Sequence, residues 1–513
     1  MTAVLQRADT AISPTVSANH LWLPSVMRWA VYVVAATAAT CYLVVVIMNL
    51  HTRLGLNHVD GAWLNQAQDA RRGLLPPPLS SEGYYSGTRY QPLAIAMLAV
   101  IGGVLGDDIT AGRLLNLLSF AAALAVAAFW MWCSRVPAPL IYALLLLAGA
   151  TSAGSLSMIS VRSDALPAAF QLAAVGIIAL QNGRPKHSAL VLSGALVGAA
   201  PAFKLTALWA LVALLLWLAY RRELREAAVM LRAAIVSFAC LFLPFVISSR
   251  GGALTQLAAA TVSGEDPLWR LDKAFVNLAY YSSKGDVVTL PLLAAASAAV
   301  LLVVYQRRIT VLHVALVLAF AQVFMISADR GVGPNQLIDV VLLSLVAVGI
   351  EIAGALRTLA DPAAGQLVAL AVVLVLAVGG TLMQWNKGPV VAALRGTIAP
   401  QVVRDPLAGR VPPGTPLLSE DPGLPAARGE RAVVGDAFMF RRLAAQRSGW
   451  SEDLARRVEA HEFGAVVLLK HSRPGAFWYA NFHFGTTVHT AIVRNYRLDR
   501  TLPNGMLLYV PIR

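Results

Sequence analysis

The sequence predicts a polytopic α-helical membrane protein of about eleven transmembrane helices with a small C-terminal extracytoplasmic α/β domain. Three observations carry this. Of 513 residues, 58% are hydrophobic and only 13% charged, with a mean hydropathy of +0.65; a soluble chain averages about 45–50% apolar and about 25% charged. Long apolar runs recur along the chain, most of them near the roughly 20 residues that a span needs. Residues 385–513 break that pattern and mix short strand-like with helix-like runs. Together these exclude an ordinary soluble enzyme, a disordered chain and a disulfide-stapled secreted scaffold. The net charge of +14 would suit nucleic acid in a soluble chain. Here the positive-inside bias supplies a simpler source of basic residues, and no nucleic-acid partner is expected.

The elements follow in order. Residues 1–26 are polar and mixed and read as a cytoplasmic N-terminus. The run 27–50 lacks a small-residue cleavage pattern, so it reads as a first span and not a signal peptide. A large outer loop, 51–111, contains the apolar segment 92–105. At 14 residues that segment is short for a span, and a re-entrant or surface-lying helix on the outer side is expected. Spans then fall at about 112–133, 138–158, 165–181, 188–203, 205–220, 233–248, 288–305, 310–327, 336–354 and 365–384, with a second outer loop at 249–287. The basic residues Arg135, Arg184, Lys186, Arg221, Arg222, Arg225, Arg307, Arg308 and Arg357 mark cytoplasmic loops. That assignment puts the turn at 162–164, Lys204 and the loop 327–336 outside. The whole membrane module spans 27–384, in a bacterial plasma membrane.

The tail, 385–513, lies outside in this topology. It carries 17 Lys/Arg against 10 Asp/Glu, half of the net +14, and long translocated domains escape the positive-inside count. Strand-like runs fall at 465–469 and 506–510. Helix-like runs fall at 437–446 and at 452–460, the latter behind Ser451 as N-cap. Cys41, Cys133 and Cys240 sit in apolar runs and read as small buried hydrophobes, with no disulfide framework. Walker A, dinucleotide-fingerprint, CxxC and HExxH patterns are absent, which argues against an ATP-driven pump and a zinc protease.

Ionisable groups near membrane depth are costly and mark candidate function. Asp60 comes first, in Asn57-His58-Val59-Asp60-Gly61. A carboxylate just above the bilayer suits a general base, and it equally suits an N-cap for a helix from Gly61 to Arg71. Arg162 and Asp164 stand at the outer start of a helix, where Asp complements the dipole or faces Asp60 across a cavity. Lys204 interrupts an apolar stretch; it suits a phosphate or snorkels to the interface. Arg330, in the Gly-rich turn that also holds Asn335, suits a lipid phosphate or pairs with Asp329. Tyr84, Tyr85, Arg89 and Tyr90 suit a sugar and phosphate site, or an interfacial aromatic belt. Tyr280, Tyr281 and Lys284 in the second outer loop repeat that ambiguity. His313 reads as a polar residue within a span.

These features resemble the GT-C membrane glycosyltransferases, the polyprenyl-phosphate-sugar-dependent enzymes, and within them the protein-mannosyltransferase and aminoarabinose-transferase type. The resemblance rests on Asp60 after the first helix, the loop through Gly73-Leu74-Leu75-Pro76-Pro77-Pro78 and Arg89-Tyr90-Gln91-Pro92-Leu93, Gly112-Arg113-Leu114-Leu115, Arg-x-Asp at 162–164, Lys204, and the loop 330–336. Leu418-Ser419-Glu420-Asp421 and Trp450 in the tail look like the outer domain of bacterial members. Two patterns depart: Asp60 is followed by Gly61 where many members carry an Asp-Glu pair, and the Trp-Trp-Asp and Asp-x-Asp signatures are absent. The resemblance implies Asp60 as the base, Lys204 and Arg330 on the leaving phosphate, and His58, Tyr84, Tyr85, Arg89, Arg162, Asp164 and Asn335 in the substrate pocket. It implies inverting transfer of a sugar from a polyprenyl phosphate to a cell-envelope glycan, lipid or protein, among membrane lipids. No cofactor is expected, and no divalent metal is indicated. A transporter or flippase for a lipid-linked substrate is the alternative, and a non-catalytic scaffold the third reading.

Overall fold

A computed structural model describes residues 25–51, 53, 56–81, 83–162, 164–181, 183–262, 271–283, 286–328, 332–359, 362–387, 405–447, 449–470, 483–502 and 504–512. The chain starts with helix α1 (Ser25–Asn49) and enters a loop with structure of its own. Helix α2 (His58–Arg71) is followed by the two-residue strands β1 (Ser80–Ser81) and β2 (Tyr84–Tyr85), paired antiparallel. Helix α3 (Pro92–Leu105) opens on a proline and closes on Gly106 at φ +68°, the usual asymmetry of helix ends. Helix α4 (Asp108–Cys133) is capped by Asp107, whose Oδ1 accepts the Ile109 and Thr110 N–H groups. Arg71 and Asp108 form a two-pronged ion pair, with both N–O distances 2.6 Å, that staples α2 to α4.

The helical body continues with α5 (Ala138–Ala150), α6 (Ser152–Ile159), α7 (Ala165–Ala179), α8 (His187–Phe203), α9 (Trp209–Tyr220), α10 (Leu224–Ser248), α11 (Gly252–Val262), α12 (Leu271–Ser283), α13 (Thr289–Tyr305), α14 (Val311–Ile326), α15 (Ile338–Leu356) and α16 (Pro362–Lys387). By length and composition, α4, α10 and Pro334–Leu356 are each sufficient to cross a membrane among the described residues. Helix α15 is buried on all sides from Val340 to Ala347, as the central helix of an apolar bundle should be. Helices α8 and α10 touch backbone to backbone. A Cβ on Gly194 would sit 2.4 Å from Met230 O, and one on Gly198 2.1 Å from Ala234 O. Such small-residue spacing is how helices pack closely in lipid.

Three expectations change. The run 138–158 is a bent pair, α5 and α6 meeting at 75°. Thr151 is extended there, its hydroxyl accepts the Gly154 N–H, and Asp286 takes the Ser152 N–H at 2.7 Å; side-chain acceptors draw backbone out of a continuous helix. The run 205–220 forms helix only from Trp209. Cys133 and Cys240 are free and exposed on the helix surface, not buried.

The C-terminal region builds a sheet in the order β3-β4-β6-β5, from β3 (Leu417–Ser419), β4 (Ala465–Leu468), β5 (Tyr496–Thr501) and β6 (Leu507–Pro511). β3 and β4 are parallel and the other pairings antiparallel. Helices α17 (Gly423–Ala427), α18 (Ala437–Ala444), α19 (Trp450–Glu459) and α20 (Gly485–Asn495) cover it. One core joins Leu418, Val466, Leu468, Phe440, Leu454, Phe484 and Ile492. Ser451 is not the N-cap of α19: Gly449, at φ +98°, is, and the helix starts at Trp450. The Trp450 ring packs on Tyr85 and Phe440, which draws that residue into the first turn.

Candidate active site

Asn57 starts α2. Its Oδ1 accepts the Val59 and Asp60 N–H groups, while Asp60 Oδ2 accepts the Asn57 N–H at 3.0 Å, a reciprocal capping box. Asp60 is therefore the third helical residue, not the N-cap. Its other oxygen reaches across the fold: Oδ1 accepts the Val161 N–H at 3.3 Å and Arg162 Nε at 3.2 Å. Asp60 has no exposed surface, and a buried carboxylate needs such donors.

The backbone at 160–162 is brought there by two contacts. Asn116 of α4 donates to Ser160 O and Oγ at 3.2 and 3.0 Å. Gly112, one turn earlier, leaves room for Val161, whose Cβ would lie 2.5 Å from any Cβ at position 112. Arg113 is buried beside this turn and within electrostatic reach of Asp60.

Asp164 continues the polar line. Lys204, which ends α8, sets its Nζ 3.1 Å from Asp164 Oδ1. Asn335, in the short 3-10 turn Pro334–Leu337, donates to Asp164 Oδ2 at 2.8 Å. Burial by itself would raise the Asp164 carboxyl, but Lys204, Arg162 and the Asn335 hydrogen bond outweigh it and hold it below its ordinary value. Burial likewise opposes the Arg162 charge, and Asp60 and Asp164 overcome it. Two carboxylates and two cations thus alternate over three chain segments.

The C-terminal domain closes one side of this site. Arg53 Nη2 pairs with Asp421 Oδ2 at 2.9 Å and Nη1 donates to Gly423 O at 2.7 Å, all buried. Along α2, Asn65 accepts the Ala432 N–H, Gln68 donates to Ala426 O, and Asp69 pairs with Arg431 at 3.3 Å. The His58 ring lies 4.7 Å from that of His483, whose Nδ1 is 3.0 Å from Glu420 Oε1. Burial first, then the charges of His483, Arg89 and Arg162, push His58 well below its ordinary value, so the ring is neutral.

Of the residues singled out in the sequence, Asp60, Arg162, Asp164, Lys204 and Asn335 converge, with His58 beside them. Tyr84 and Tyr85 go elsewhere. β2 joins the C-terminal domain through Tyr85 N–H to Val433 O and Gly435 N–H to Tyr85 O, both 2.8 Å. Tyr85 is buried against Phe440 and Trp450 with its hydroxyl on Asp453, and Tyr84 lies under the Arg431 guanidinium. Arg89 stacks on Phe438 at 4.4 Å. His313 closes the cap of α14 with Thr310. Arg330, Asp329 and Lys284 lie outside the described residues. Arg53, Asn57, Asn116, Val161 and Asp421 were not singled out. Asp421 stands in a motif noted in the tail, but nothing local links it to Arg53, 368 positions away. Among the described residues, no group of three or more His, Cys, Asp or Glu is placed to hold a metal ion.

No family model matches the chain, and no curated protein matches it by sequence. Solved structures do. ArnT from Cupriavidus metallidurans in the apo state superposes with a TM-score of 0.61 at 14% identity, covering 95% of this chain and 99% of ArnT. The same protein bound to undecaprenyl phosphate gives 0.59 at 13%, covering 94% and 98%. The apo Archaeoglobus fulgidus oligosaccharyltransferase gives 0.51 at 12%, covering 96% of this chain and 75% of that one. All are GT-C proteins. On this likeness, extending over nearly the whole chain, the protein has the GT-C fold of membrane-embedded glycosyltransferases.

Proposed function

We propose that the protein is a glycosyltransferase of a bacterial plasma membrane that moves a sugar from a polyprenyl phosphate to a cell-envelope acceptor on the extracytoplasmic side. The observation that carries this reading is the alternation Asp60–Arg162–Asp164–Lys204 within a fold shared with a protein bound to undecaprenyl phosphate. Inverting displacement needs a base on one face of the anomeric carbon and cations where phosphate charge develops. Asp60 serves as the base. It takes the acceptor hydroxyl proton while that oxygen bonds to the anomeric carbon, and the bond to the phosphate oxygen breaks with its electron pair. Lys204 and Arg330 receive the phosphate. Arg162 occupies Asp60 Oδ1 beside the Val161 N–H; a donor phosphate draws the guanidinium off and leaves that oxygen only the backbone donor. Catalytic hydrogen bonds often reach their working arrangement only in the bound complex.

The test is incubation of membranes with radiolabelled polyprenyl-phosphate sugars. Asp60→Asn should lower transfer by about 10²–10⁴, the usual share of a general base, with donor binding retained. Full transfer by Asp60→Asn overturns the base, and no consumption of any polyprenyl-phosphate sugar overturns the enzyme class.

A further inference from the structure

Six of the described residues other than glycine have a left-handed backbone, and four of them are arginines: Arg135 (φ +62°), Arg222 (+60°), Arg250 (+50°) and Arg307 (+55°). Each stands two residues past the end of an apolar helix, α4, α9, α10 and α13 in turn. Its N–H bonds the carbonyl three residues back and the next N–H the carbonyl five back, at 2.8–3.1 Å. This is the Schellman ending, which glycine usually fills because a side chain there is strained. Glycine does close α3, at Gly106. Three of the four arginines share one face of the bundle. Arg357, just past α15, donates to Ser134 O at 3.3 Å, so the ends of α4 and α15 are adjacent. Glu351 of α15 lies 3.8 Å from His313 in the first turn of α14, which follows Arg307. A Cβ on Gly176, in the last turn of α7, would meet the Trp130 ring of α4 at 3.3 Å. Arg184, beyond α7, pairs with Glu226 in the first turn of α10, which follows Arg222. Helix α10 leads away from that face to Arg250.

The same three helix ends carry the three most exposed aromatic side chains among the described residues: Trp132 at 71%, Tyr220 at 79% and Tyr305 at 86%. Each precedes its arginine by two or three positions, whereas Ile247 stands in that place before Arg250. Two ordinary uses of arginine do not account for this. A helix dipole asks only for a cation near the last turn, and Arg221 and Arg308 already stand beside Arg222 and Arg307. The positive-inside bias asks only for charge somewhere in the loop. Neither asks for arginine at a position that suits glycine. The nearby carboxylates are taken, Glu223 by Arg221 at 3.1 Å and Glu226 by Arg184. Arg135, Arg222 and Arg307 are exposed and form no ion pair with a described residue. An exposed ring a few positions from an exposed guanidinium fits the boundary of acyl chain and headgroup, with the ring at the interface and the cation on phosphate. Three cations without counter-ions favour a headgroup of net negative charge. We propose that these helix ends form a collar that binds anionic glycerophospholipid headgroups, one at each ring–arginine pair, and holds the bundle at a fixed depth.

The collar is independent of the transfer chemistry, and its test needs no turnover. The full-length protein in neutral detergent is titrated with phosphatidylglycerol, or with phosphatidylcholine, while its thermal midpoint is followed. Phosphatidylglycerol should raise the midpoint more than phosphatidylcholine does. Glycine suits the left-handed position, so the triple variant Arg135→Gly/Arg222→Gly/Arg307→Gly should keep or raise the midpoint in detergent alone. Its response to phosphatidylglycerol should require about fivefold more lipid for each arginine removed, the worth of one cation at an anionic surface. Should the triple change prevent folding, Arg222→Gly alone reads the fivefold step. Arg250→Gly/Arg494→Gln/Arg497→Gln removes the same charge elsewhere and should keep the wild-type response. Equal responses of the two triple variants, or equal responses of the wild type to the two lipids, overturn the proposal. A midpoint rise of the same size with inorganic phosphate overturns the lipid as the ligand.

Discussion

Gly61 is one point where α2 touches the C-terminal domain, and Gly61→Ala tests whether that contact sets the site. A Cβ at position 61 would lie 1.9 Å from Asp421 Oδ1 and 2.7 Å from Gly423 N. Neither neighbour yields easily. Asp421 is held by Arg53 at 2.9 Å and by the Gly423 N–H at 2.9 Å, and the Gly423 carbonyl by Arg53 at 2.7 Å. The two segments must part by about 1.5 Å before the contact reaches ordinary van der Waals range. Overpacking of this kind costs about 1–3 kcal/mol, and loosening the buried Arg53–Asp421 pair pushes the cost toward the upper end. At about 3 kcal/mol the docked arrangement loses roughly 150-fold in relative population. Asp60 is the neighbouring residue, and a displacement of about 1 Å at a reacting group lowers rate about 10²-fold. The assay is the thermal midpoint of the purified protein in detergent together with transfer rate. Gly103→Ala on α3 is the control, since its Cβ would meet only Arg71 Cδ at 3.5 Å; it should be neutral or stabilise by about 0.5–1 kcal/mol. A Gly61→Ala protein with the wild-type midpoint and transfer rate would refute the reasoning.

Lys204→Met should raise the KM for a lipid-phosphate donor by about 10–100-fold, the worth of one hydrogen bond to a charged group, with partial recovery in Lys204→Arg; steady-state kinetics at varied donor concentration reads this directly. Arg53→Met should cost about 3–5 kcal/mol because it leaves Asp421 buried without its cation. Adding Asp421→Asn should recover part of that loss, which a double-mutant cycle of thermal midpoints measures. The lowered His58 value carries a pH dependence. The unfolded chain takes up a proton near 6.5 while the folded ring resists it, so this contribution is complete above pH 6.5 and is lost as pH falls below it. Thermal midpoints should therefore fall from pH 7.5 to 5.5, and His58→Asn should flatten part of that fall.

Much of the site was legible before any fold was known, because charge is conspicuous in a chain that is 13% charged. Asp60, Arg162, Asp164 and Lys204 stood out for that reason alone. Asn57 and Asn116 did not, since a neutral polar residue beside an apolar run has many ordinary uses. Tyr84 and Tyr85 drew attention for their hydroxyls, yet the short β2 strand hands both to the C-terminal domain. The bend at Thr151 was hidden because hydropathy averages over a window, whereas a break in the helix depends on one side chain and on Asp286, 134 residues later.

Local pattern thus determined the apolar helices, the strands near 465 and 507, and the short list of charged residues, since each follows from side chains a few positions apart. Tertiary structure decided which charges meet. Asp60 and Arg162 are 102 residues apart, Arg53 and Asp421 368. Ion pairs over such separations exist only once helices have packed and excluded water, because only there does an unpaired charge cost enough to select its partner.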